Sequence, residues 1–129
     1  MFLARVFTLY PEIFPGPLNI GIYKKAKENK LWDLKVINIR KYSKDKHHVV
    51  DDTPFGGGSG MLLRPDVVAS ALDGHIKKDE KIIYLSPQGK KFDQKEARSL
   101  SKLKKLNILC GHFEGIDQRL LETRNIEEY

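Results

Sequence analysis

The chain has 129 residues, of which 40% are hydrophobic and 31% charged, and 23 basic against 17 acidic side chains leave a net charge of +6. This balance permits one hydrophobic core and excludes a disordered chain, while the positive excess favours a polyanionic partner such as RNA or DNA over an acidic protein. A single cysteine, Cys110, excludes an internal disulfide; no apolar run approaches a membrane span, and Met1 to Val6 turns polar too soon for a signal peptide, so a cytoplasmic location without membrane attachment is expected.

Leu3 to Leu9 is apolar and β-prone and is stopped by Pro11, which predicts a buried first strand. Pro15, Gly16 and Pro17 mark a turn. From Leu18 to Asn29 the apolar residues Leu18, Ile22 and Ala26 recur at helical spacing, with Lys24, Lys25, Lys27 and Lys30 mostly off that stripe. The pattern predicts an amphipathic helix with a basic face. Leu34 to Ile39 alternates loosely and predicts a second strand. Arg40 to Gly60 has almost no periodicity, and a loop of that length inside a compact domain is functional or disordered. Pro65 opens a helix with an apolar face of Val67, Val68, Ala71 and Leu72, and Gly74 stops it. Lys81 to Ser86 and Leu106 to Cys110 contain short continuous apolar runs of the kind found in parallel strands covered on both faces. Between them, Asp93 followed by Glu96 opens a helix reaching about Leu103, and Asp117 can cap a further helix over Gln118 to Glu122. Alternation of this kind implies an α/β domain with a mainly parallel sheet flanked by helices. Ligands in such sheets bind beyond the carboxyl ends of the strands. The candidate site is therefore Leu85 to Gly89 together with Gly111 to Gly115.

Three segments could carry chemistry. The run Gly56-Gly57-Gly58-Ser59-Gly60 lacks the Lys-Ser/Thr pair of a phosphate-binding loop, and Met61 breaks the dinucleotide pattern. It is either a flexible surface loop or a backbone that lets a ligand come close. Asp51 and Asp52 upstream read as solvated rather than as cation ligands. Tyr84-Leu85-Ser86-Pro87-Gln88-Gly89 ends a strand with free carbonyls and a hydroxyl, which can read an adenine edge; an ordinary strand-to-helix turn looks the same. In Cys110-Gly111-His112-Phe113-Glu114-Gly115-Ile116-Asp117-Gln118-Arg119, the carboxylate of Glu114 could face a sulfonium or a metal, or hydrogen-bond a nucleophile, or could be a loop charge. Cys110 reads as a small buried filler. His47 and His48 are adjacent and lack cysteine neighbours, so a zinc site is disfavoured; with Lys41, Lys44 and Lys46 they form a basic RNA-facing loop or a solvated one.

At these residues the sequence resembles a known family. Phe7-Thr8-Leu9-Tyr10-Pro11-Glu12-Ile13-Phe14, the stretch Val50 to Met61, Tyr84 to Gly89 and Leu109 to Arg119 are similar, in order and spacing, to motifs of the TrmD family, the bacterial tRNA (guanine-N1)-methyltransferases. The resemblance implies transfer of a methyl group from S-adenosylmethionine to N1 of the guanosine 3′-adjacent to the anticodon. It implies all or part of a deep trefoil knot of the SPOUT methyltransferase type, an exception to the rule against knots, and a homodimer with tRNA as partner. Tyr84, Leu85, Ser86 and Pro87 would then hold the adenosine part, Gly111 and Gly115 would admit the cofactor, and Glu114 would support binding or catalysis. Gly56, Gly57, Gly58, Ser59, Gly60, His112 and Phe113 would face RNA. A magnesium ion is possible by the same likeness, with no site assigned to it. His112-Phe113 stands where the family usually has Arg-Tyr, and Phe55 and Ser59 replace a usual Tyr and Pro. The likeness also implies that residues 1–129 are an amino-terminal cofactor-binding domain. A catalytic Arg, a general-base Asp and a tRNA-gripping carboxyl-terminal domain would lie past Tyr129. The alternative is a non-catalytic RNA-binding or dimerisation module.

Overall fold

The computed structural model describes residues 1–43, 51–52, 62–111 and 116–129, with the backbone alone at 51–52 and 62–63. Five parallel strands form the main sheet in the order β2-β1-β6-β5-β7: β1 Phe2–Thr8, β2 Trp32–Asn38, β5 Ile82–Tyr84, β6 Lys105–Leu109 and β7 Glu127–Glu128. The helices are α1 Gly21–Glu28, α2 Pro65–Asp73, α3 Gln94–Ser101 and α4 Gln118–Thr123. A separate antiparallel pair joins β3 Asp51–Asp52 to β4 Leu62–Leu63. The α/β architecture expected from the alternating pattern is the one observed. No helix among the described residues is long and apolar enough to cross a membrane.

Strand alternation sorts the side chains between two faces. Phe7, Ile37, Ile82, Tyr84 and Leu109 point to one face, where α2 and α4 bring Val68, Ala71, Leu72, Leu120 and Leu121 against them. Phe7, Val68, Leu72 and Leu109 are essentially inaccessible to water, and each contributes about 1.5–3 kcal/mol by that burial. The other face carries a smaller cluster of Ile83, Leu106 and Tyr129 under Leu100 of α3. Beside it, Phe2, Ala4, Leu34 and Ile108 line an open apolar groove that runs out to Tyr23 and Trp32.

Several elements differ from the sequence-based expectation. The first helix does not begin at Leu18: that residue lies in a 3-10 turn, Gly16–Asn19, and the α-helix starts at Gly21. Ile20 is extended and Gly21 has φ +59, which interrupts the helical path. The helix buries none of its residues, and Ile22 is 76% exposed, so the stripe of Leu18, Ile22 and Ala26 is no core face here. The aperiodic segment from Arg40 to Gly60 contains most of a 3-10 turn, Ile39–Tyr42, and then β3, which pairs with β4 just beyond the segment; strands of two residues are too short to show a period. Leu85, expected inside the apolar strand run, lies past its end and is 59% exposed. Cys110 follows β6 directly and is half-buried, and burial pushes its thiol pKa up. The last strand, β7, has no counterpart in the sequence reading.

The caps at Asp93 and Asp117 form as expected. Asp93 accepts from the Glu96 amide at 2.9 Å and Asp117 from the Arg119 amide at 2.9 Å. Gly74 follows α2 at its expected stop.

Candidate functional site

The site is built by register. Parallel pairing sets Tyr84 of β5 opposite Leu109 of β6, so the turns that leave both strands emerge side by side at the carboxyl edge of the sheet. Gly111 confirms the closeness: a Cβ placed there would sit 2.6 Å from Cε1 of the Tyr84 ring, so only glycine lets the second turn start so near the first strand. Tyr84 is itself buried. Burial, and secondarily the neighbouring Glu128 carboxylate, push its phenol pKa up, so it is a neutral hydroxyl at physiological pH.

The turn after β5 is held from two directions. Within it, the Gly89 amide donates to the Ser86 carbonyl at 3.2 Å and the Gln88 amide to the Ser86 hydroxyl at 3.3 Å. From outside, β7 lies alongside: the Ser86 amide donates to the Tyr129 carbonyl at 2.8 Å, the Tyr129 amide to the Tyr84 carbonyl at 2.9 Å and the Lys90 amide to the Glu128 carbonyl at 3.0 Å. The Ser86 hydroxyl donates to Oε2 of Glu128 at 2.5 Å. Gly89 passes so close to the Tyr129 backbone that any side chain would collide with it. Lys81 and Lys90 flank the Tyr129 ring at 5.9 and 5.1 Å and reach Glu127 at 3.1 and 3.7 Å. Burial alone would raise the Glu127 carboxyl, but Lys81 above all outweighs it, and the group stays below the usual glutamate range.

Tyr84, Ser86, Pro87, Gln88, Ile116, Gln118, Leu121 and Glu128 enclose a cleft of about 340 Å³. Among the described residues its lining offers two hydroxyls, two amides, apolar walls and a single carboxylate, with no cationic side chain. Such a surface suits a neutral or positively charged organic ligand and is unsuited to a phosphate. Of the residues singled out from sequence, Tyr84, Ser86 and Pro87 meet here. The Leu85 side chain points to the opposite face of the sheet, beside Phe92 and Ile108. Gly111 stands at the start of the second turn. His112, Phe113, Glu114 and Gly115 lie outside the described residues, as do Gly56, Gly57, Gly58, Ser59 and Gly60 and the basic segment with His47 and His48. Among the described residues no group of three or more His, Cys, Asp or Glu is arranged to hold a metal ion.

Sequence reasoning missed Glu128, Ile116 and Gln118. Gln118 follows the Asp117 cap, whose carboxyl is held below the ordinary range by the Arg119 guanidinium and amide; that cap sets where the helix begins and hence where Gln118 stands. Glu128 had no signal, since a two-residue strand leaves no alternation to read.

The family model for tRNA (Guanine-1)-methyltransferase TrmD matches residues 2–129. The chain is 63% identical over 128 residues to the tRNA (guanine-N(1)-)-methyltransferase of Pelagibacter ubique (strain HTCC1062), covering 99% of this chain and 56% of that protein. It is 52% identical over 124 residues to the protein of the same name from Wolbachia sp. subsp. Brugia malayi (strain TRS), covering 95% and 53%. For the Bartonella tribocorum (strain CIP 105476 / IBS 506) protein the identity is 49% over 127 residues, covering 98% and 54%. The chain spans about half the length of the curated relatives it matches.

Proposed function

The chain belongs to the tRNA (guanine-1)-methyltransferase TrmD family, and from that premise we propose that the protein methylates N1 of the guanosine 3′-adjacent to the anticodon in tRNA, with S-adenosylmethionine as donor. The observation that carries this reading is the cleft at the carboxyl edge of β5, where Glu128 is the only charged lining residue among the described ones. A donor that is cationic at sulfur and carries a neutral nucleoside is compatible with such a lining; a nucleotide phosphate is not.

S-adenosylmethionine supplies a methyl group activated by a sulfonium, which the transfer converts to a neutral thioether. The chain's own residues have the task of holding and aligning. Tyr84, Leu85, Ser86 and Pro87 would hold the adenosine through the backbone groups and hydroxyl at the strand end, and Gly111 and Gly115 would let the donor approach. Glu114 would support binding or catalysis. Guanine N1 carries a proton and is a poor nucleophile until a base removes it, and charge then builds on O6 and needs a donor. Alignment of N1, the methyl carbon and sulfur supplies much of the rate, which is why a rigid turn matters more here than a reactive side chain. Gly56, Gly57, Gly58, Ser59, Gly60, His112 and Phe113 would face the RNA, supported by the exposed lysines of α1.

The remaining features belong to the same proposal. Residues 1–129 form the cofactor-binding domain of a cytoplasmic enzyme of the SPOUT type, with a deep trefoil knot and a homodimeric state. Exposed Ile13, Ile20, Ile22 and Leu31, together with the open apolar groove, favour a partner subunit on that side. The alternative of a non-catalytic binding module is not favoured, since the full-chain relatives are named as methyltransferases.

The test is methyl transfer by the full-length protein to a tRNA transcript, with a second transcript carrying adenosine at the target position. Label on the first alone is expected, and no transfer to either overturns the reading. Binding of tRNA should weaken steeply with salt, as the +6 charge requires; a flat salt titration removes the RNA-facing role.

A further inference from the structure

We infer that Glu128 is a positioning residue for the donor site: its carboxylate fixes the Ser86 hydroxyl and, through it, the conformation of the turn 86–89. This rests on the methyl-donor reading of the cleft. The Oγ of Ser86 and Oε2 of Glu128 are 2.5 Å apart although the residues are 42 positions apart in sequence. The same hydroxyl oxygen accepts from the Gln88 amide at 3.3 Å, so one atom links β7 to the inside of the turn. An ionised acceptor orients a hydroxyl proton more firmly than a neutral one. With its proton committed to Glu128, the Ser86 oxygen presents its lone pairs to the turn and to the cleft. Without Glu128 the hydroxyl rotor is released, and one of the ties between β7 and the turn is lost. The backbone ties from Tyr129 and Lys90 remain, so the strand stays paired while the turn loosens. Glu128 also lines the cleft, close enough to Tyr84 to act on its phenol, so this orientation is set inside the ligand's own wall.

The experiment compares Glu128→Ala, Glu128→Gln and Ser86→Ala in the full-length protein, by calorimetry with S-adenosylmethionine and by steady-state methyl transfer. Glu128→Ala and Ser86→Ala should each weaken donor binding about tenfold, the expected scale for one hydrogen bond to a charged group. The double variant should lose no more than either single one. Glu128→Gln, whose amide oxygen can still accept, should recover most of the affinity. KM for the donor should rise while KM for tRNA holds. Equal affinities for the Ala and Gln variants overturn the inference, and so does a Ser86→Ala protein that binds like wild type. If wild type itself binds no S-adenosylmethionine, the donor reading fails. The clasp is then judged by hydrogen exchange of the Gln88 and Gly89 amides inside the turn, which should quicken in Glu128→Ala and not in Glu128→Gln while the Ser86 and Lys90 amides hold; unchanged exchange of the turn amides in both variants rejects it as well.

Discussion

The two ends of the central strands use charge in opposite ways. At the amino edge, Glu80 gathers Arg5 at 2.5 Å, the Asn107 amide at 3.2 Å and Lys105 at 3.7 Å, and Asn107, fully buried, also donates to the Lys81 carbonyl at 3.1 Å. Burial by itself would raise the Glu80 carboxyl, but the Asn107 amide and the Arg5 guanidinium outweigh it and hold it below the ordinary range. Both oxygens of that carboxylate are engaged within the protein, although Glu80 also borders a cleft of about 460 Å³ beside Lys77, Lys78 and Arg124. At the carboxyl edge, Ser86, Gln88, Gln118 and Glu128 line a cleft, and the tie between Ser86 and Glu128 lies in its wall. The lesson is that the same sheet ties a buried carboxylate to two cations and an amide at one end, and at the other turns hydroxyls, amides and one carboxylate toward a cleft.

That contrast can be broken by substitution. The largest effect is expected from Glu80→Ala, which leaves Arg5 and Asn107 without their shared acceptor. Arg5 Nε is already a buried donor without a partner, and the loss should be about 3 kcal/mol of unfolding free energy in urea, with donor affinity unchanged. A fall in affinity would mean that the two ends are coupled. Next is Gly89→Ala, whose Cβ must displace the Tyr129 backbone. About 2 kcal/mol of stability should be lost, by thermal melting, and here donor affinity should fall with it. The smallest effect sharpens the contrast through pH. The folded Glu80 carboxyl titrates below its unfolded value, so its ionised form stabilises the fold fully above the unfolded value, and that contribution disappears as pH falls through the depressed folded one. Glu80→Gln should cost only about 1 kcal/mol at neutral pH and should flatten the acid limb of a stability profile; an unchanged acid limb would show that Glu80 is not its source.

What the sequence made legible follows from the size of each signal. Ile82 to Tyr84 and Lys105 to Leu109 declared themselves because strands covered on both faces are continuously apolar, and with them came the edge where the turns meet. Asp93 and Asp117 were legible because a cap is local chemistry. The helix at Gly21 misled because helical spacing of Leu18, Ile22 and Ala26 reports a possible face and not whether anything covers it. The strand at Glu127 was invisible because its partner, β5, is far away in sequence, and pairing of that kind leaves no local trace. Glu128 was missed for the same reason. The likeness at Tyr84 to Gly89 pointed to the turn but not to what holds it.

The tie between Ser86 and Glu128 has a consequence for how the molecule is made. A ribosome delivers residues in order, and the turn 86–89 appears 42 positions before its anchor. Until residues 127–129 emerge and line up against Tyr84, the nascent turn has no outer wall. Capture of the proposed donor is thereby deferred until β7 has been made, after the neighbouring strands β1, β2 and β6 are already available to pair.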